Sequence, residues 1–117
     1  MGMIETIKDY LNNNYPAYSF VLFGVDGIPS SPYGVIKGEK GIGGRNIRVI
    51  LHRNVGENDE LETDLRAIMH LLGDKGFTSS GKYNRLSHMT DYTDVGVVSD
   101  DNTISMEALF LMPTTSF

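Results

Sequence analysis

The sequence predicts an α+β fold, an antiparallel or mixed sheet of about four to five strands with two helices packed on one face. Three observations predict it. Residues 4–11 and 61–72 carry apolar side chains at helical spacing, several other runs read as strands, and the order along the chain is helix, strands, helix, strands. Neither helical stripe can hide itself, so both need a sheet to cover them. With 117 residues, 40% apolar and 21% charged, the chain has the size and composition of one domain spanning 1–117, and it holds no internal repeat.

The first helix rests on Ile4, Ile7, Tyr10 and Leu11, and it stops in Asn12-Asn13-Asn14 before Pro16, which cannot continue it. Ser19 to Val25 is nearly unbroken apolar sequence between Pro16 and the turn-forming Asp26-Gly27, so a central strand is expected there. Ile28 to Pro32 forms a stiff connection. Tyr33 to Lys37 follows as a short strand, and the four glycines between Gly38 and Gly44 suggest a flexible hairpin tip. In the next strand, Asn46 to Val55, Ile47, Val49 and Leu51 fall on one face and Arg48, Ile50 and His52 on the other.

The second helix has the clearest pattern. Asn58 is placed to cap it, Asp59 and Glu60 suit the positive end of its dipole, and Gly73 or Gly76 can end it. Leu61, Leu65, Ile68, Met69 and Leu72 make its apolar stripe. Gly76 to Asn84 reads as a polar loop, Arg85 to Tyr92 as a pairing strand that Asp94 to Val98 extends, and Ser99 to Asn102 as a turn. Thr103 to Met112 is apolar on both faces in its second half, the mark of a central strand. Pro113 ends it and residues 114–117 form a loose tail.

Composition narrows the function. A net charge of −5 with scattered Lys and Arg argues against nucleic-acid binding; Arg45 and Arg53 share a strand face that Arg48 does not. The absence of cysteine removes disulfides, thiolate nucleophiles and Cys-based metal sites. No stretch approaches the ~20 apolar residues of a membrane helix, and folding in a cytoplasm is expected.

Gly76-Phe77-Thr78-Ser79-Ser80-Gly81-Lys82 fits the first seven positions of a P-loop, then fails at Tyr83, where Ser or Thr is needed to hold magnesium. A nucleotide- or ligand-binding regulatory domain using this loop is therefore the alternative reading. Asp91, Asp94, Asp100 and Asp101 read as solvated turn residues, since the calcium-loop spacing of oxygen ligands is missing. His52, His70 and His88 fall on three separate elements. No catalytic, metal or cofactor residues are assigned, and no enzyme activity is expected.

The chain resembles the small minor capsid or tail-terminator proteins of the head-to-tail module of long-tailed phages and prophages of Gram-positive bacteria. The resemblance lies in Ile4 to Leu11, in Ile47 to Arg53 leading through Asn58-Asp59-Glu60-Leu61 into the second helix, and in Tyr92 to Val98 before the strand Ile104 to Met112. It implies a structural virion protein that closes into a homo-oligomeric ring, usually of six subunits, and joins tail-tube and head-completion proteins. It also implies contact residues in the glycine-rich hairpin and the polar loop, here Gly41, Ile42, Gly43, Gly44, Arg45, Phe77, Lys82 and Tyr83. An acidic lumen would let DNA pass without sticking.

Overall fold

Packing of two amphipathic helices on one sheet face governs the architecture. The computed structural model describes residues 2–41, 44–73, 75–79, 82–88, 93–94 and 102–113. Helices α1 (Met3–Asn14) and α2 (Asn58–Leu72) lie against a mixed sheet. Its long strands are β1 (Ser19–Leu22), β2 (Tyr33–Gly41), β3 (Gly44–Asn54) and, after β4 (Gly76–Ser79), β5 (Lys82–Arg85), β6 (Ser87–His88) and β7 (Thr93–Asp94), β8 (Thr103–Pro113). The strand order is β1-β2-β3-β8-β6, with β7 also on β8, and among the described residues only β1 and β2 run parallel.

Alternation puts Ile36, Ile47, Val49, Leu51, Ala108 and Phe110 on the helix side, where Ile36 pairs with Val49, Ile47 with Phe110 and Leu51 with Met106. Ile7 and Leu11 of α1 and Leu61, Leu65, Ile68 and Leu72 of α2 close this core with no exposed surface. Each such side chain contributes about 1.5–3 kcal/mol. Gly34 belongs to the same face because the Phe20 ring lies across it: a Cβ there would stand 2.6 Å from that ring.

Several expectations need correcting. The apolar run at 19–25 is not a central strand: β1 stops at Leu22 and forms the sheet edge. Gly24, at φ +74°, turns the chain there, and the Asp26 carboxylate fixes the turn by accepting the Leu22 N–H at 2.9 Å. Strands β2 and β3 run further into the glycine-rich segment than expected, leaving only residues 42 and 43 between them. Residue 58 begins α2, whose N-cap is Glu57 rather than Asn58; Gly73 ends it.

The polar segment 76–84 is a hairpin instead of a loop, with β4 and β5 antiparallel. Phe77 anchors it, 5% exposed, with its ring edge-on to Tyr10 at 5.3 Å. Of the strand expected over 85–98, the structure describes the pairing of β6 and β7 with β8; residues 89–92 and 95–98 lie outside the described residues, as do most of the turn at 99–102 and the tail at 114–117. Asn102 itself adopts φ +61° just before β8. β8 is central, as its composition predicts.

One polar cluster ties the layers together. The Asp64 carboxylate on α2 accepts hydrogen bonds from the Tyr15 and Tyr18 hydroxyls, both at 2.6 Å, and from Arg53 Nη1 of β3 at 2.8 Å. Arg53 also reaches Glu57 at 3.3 Å. The α1–β1 connection, β3 and α2 thus share one anion. Burial, reinforced by the hydrogen bond to Asp64, pushes the Tyr15 phenol up to about 12 and raises that of Tyr18 as well.

Replacing Asp64 with Ala leaves Arg53 with Glu57 alone and takes the acceptor from two phenols. Stability should drop by about 2–3 kcal/mol, read from the urea midpoint at constant m-value. The tyrosines also predict a pH dependence. A phenol whose folded pKa exceeds its unfolded value of 10 contributes fully below pH 10 and loses that contribution as pH climbs through about 12. Urea midpoints should therefore fall over that window, and less steeply in a Tyr15→Phe variant.

Candidate interaction surface

The sheet face opposite the helices carries the most distinctive surface of the described residues. On it Val21, Val35 and Ile50 lie side by side on β1, β2 and β3, and Tyr33 stacks on His52 with ring centroids 4.5 Å apart. His52 Nδ1 lies 3.1 Å from Thr103 Oγ1. These residues floor a groove of about 690 Å³ whose wall is the turn after β1, including Phe23 and Ile28. Further along the face, Arg48 bridges Glu39 and Glu107.

That turn is unusually apolar for its exposure. Phe23 is 59% exposed, Val25 75% and Ile28 64%. Together they offer roughly 300 Å² of apolar surface, the lower end of the size of the largest patch on an ordinary monomer. Lys37 covers part of Phe23, its Nζ 4.7 Å from the ring centroid. The turn itself is held firmly: the Val25 and Asp26 N–H groups return to the Leu22 carbonyl, and Lys8 pairs with Asp26 at 3.4 Å. The Leu22 N–H, ahead of the Lys8 charge, keeps the Asp26 carboxyl below its ordinary range.

Beside this face, the β1 edge is sealed. Ser19 and Phe23 donate toward β2, so the N–H and C=O groups of Phe20 and Leu22 point outward. Asn12 of α1 takes both groups of Phe20, accepting its N–H at 2.8 Å and donating to its carbonyl at 3.1 Å. Leu22 is satisfied by the turn. A partner therefore meets side chains on this flank and finds no open backbone for strand addition.

The contact residues implied by the resemblance are dispersed. Gly41 and Gly44 pair at the end of the β2–β3 hairpin, Arg45 is exposed beside them, and Ile42 and Gly43 lie outside the described residues. Lys82 and Tyr83 belong to β5, paired with Ser79 and Thr78. Phe77 leaves the set, because its side chain is spent on the core. The Gly76–Lys82 segment leads into a strand, so it presents no helix N-terminus to a phosphate.

Among the described residues, no three His, Asp or Glu side chains gather as a metal site, and no helix is long and apolar enough to cross a membrane. Residues 91, 100 and 101 lie outside the described residues. The apolar turn at 23–28 is the surface that sequence reasoning missed. Its signal was Gly24, a glycine inside an apolar run, followed by Asp26-Gly27.

Replacing Asn12 with Ala should open the β1 edge. A loss of about 1 kcal/mol in stability is expected, together with large aggregates in light scattering that grow with time beyond any oligomer of fixed size formed by the parent; unchanged scattering would show that the edge is guarded by other means. No family model, no curated protein and no solved structure matches this chain.

Proposed function

We propose that the chain is a structural assembly protein, a tail terminator or minor capsid protein at the head–tail junction of a long-tailed phage. It works by ring-forming contacts between copies, six in the ring that the sequence resemblance implies, and by contacts with tail-tube and head-completion proteins. It is assembled in the bacterial cytoplasm and ends in the virion. The observation that carries this reading is the firmly held turn exposing Phe23, Val25 and Ile28 beside an apolar groove. Apolar surface of that extent gains free energy when a protein covers it.

The shape of the surface favours a protein over a small ligand. The groove could hold a small molecule by volume, but such a ligand would leave Val25, at 75% exposure, in water. A net charge of −5 also suits a ring through which DNA must pass without adhering.

Size-exclusion chromatography with light scattering should show a multiple of the 13.0 kDa chain mass, alone or after adding a phage tail-tube protein. Val25→Asp should weaken that association by about tenfold or more while the melting temperature of the subunit stays put. A monomer under both conditions would falsify the reading.

A further inference from the structure

The four large apolar side chains left exposed among the described residues stand in two places of opposite electrostatic character. Phe23 and Val25 border a second concavity of about 510 Å³ that Met3, Ile4 and Ile36 also line, while Ile28 of the same turn faces the first groove. Its charged groups are Lys37, Arg45 and Glu5. Lys8 and Asp26 pair beside it and cancel, while Glu39 lies closer to Arg48, at 3.1 Å, than to Lys37, at 3.8 Å. The N-terminus of α1 opens on the same concavity at Gly2 and Met3, with no side-chain cap, and adds the positive end of its dipole. Lys37, which shares Glu39 with Arg48, and Arg45 stand with the helix end against Glu5, a slight positive excess around an apolar floor.

Val55, 48% exposed, stands at the other place, on the turn between β3 and α2. Around it the chain carries Glu57, Asp59, Glu60 and Asp64 against one cation, Arg53, which is already bound to Asp64 and Glu57. Asp59 and Glu60 are exposed, and Glu62 is paired with Arg66. The balance here is negative around a protruding apolar residue.

We infer that these two places are the two sides of one contact between copies, the Val55 turn of one subunit seating in the Met3–Phe23–Val25 concavity of the next. This rests on the assembly reading and names the surfaces it uses. The contact is heterologous, as a ring requires, because each subunit presents both halves on different parts of its fold. It covers exposed apolar residues on both partners, and Asp59 and Glu60 come to lie against Lys37 and Arg45, which sets orientation and register.

Charge reversal tests it by sedimentation velocity over a concentration series. Asp59→Lys with Glu60→Lys, and separately Lys37→Glu with Arg45→Glu, should each weaken self-association by about tenfold or more. An equimolar mixture of the two should restore it to within about threefold of the parent, because each reversed surface then meets its complement on the other variant. Circular dichroism melts should show that both variants fold, and Val55→Ser, an exposed change, should weaken association as a further check. Parent oligomers indifferent to both reversals, or a mixture that stays dissociated, would overturn this contact while leaving the assembly reading standing. A parent chain that is monomeric throughout overturns this contact, and overturns the assembly reading as well only if it also stays monomeric with tail-tube protein.

Discussion

A single carboxylate holds the layers of this protein in register. Asp64 projects from α2 and collects two phenols from the α1–β1 connection and a guanidinium from β3, so three separate parts of the chain are positioned by one acceptor. Hydrophobic burial presses the helices onto the sheet but is indifferent to a small slide or rotation. Charge-assisted hydrogen bonds at 2.6–2.8 Å are not indifferent, since each fails once its geometry is lost. The position of β1, and with it the turn that follows, depends on this anchoring.

Much of the fold was legible wherever one periodicity acted alone. The stripe from Leu61 to Leu72 and the alternation from Ile47 to Leu51 correspond to buried residues without exception, apart from the partly buried Met69. Misreadings arose where side chains took over work that backbone usually performs. β1 looks central because an edge strand that apolar would ordinarily leave unpaired backbone in water. Asn12 supplies the missing neighbour from eight residues upstream, and nothing in local composition announces that role. Likewise the 76–85 hairpin has few apolar residues of its own and is held through Phe77 on Tyr10, a contact between segments 67 residues apart in sequence.

The candidate interaction surface was harder to see than the fold, for a related reason. Phe23 and Val25 extend an apolar strand run, and a sequence cannot show that the strand has ended when the residues past its end remain apolar. Only the capture of Leu22 by Asp26 reveals that the chain turns away from the sheet just past Phe23, whose N–H still donates to Ile36. Local sequence and global structure disagree here, and such disagreements tend to fall at places kept for a purpose other than stability. The glycine-rich hairpin, by contrast, was recognisable from composition, yet composition does not say whether its tip touches a partner.

The Asn12 carboxamide has one more consequence, for how copies of this molecule can gather. Sheets with bare margins invite unlimited growth, each new strand templating another, and crowding then leads to fibres. With its first margin occupied by its own helix, this polypeptide offers neighbours discrete and exhaustible patches of side chains on that flank. Contacts between such patches can close into an object of fixed size when the rotation from copy to copy returns to the first, which an open ladder of strands cannot do.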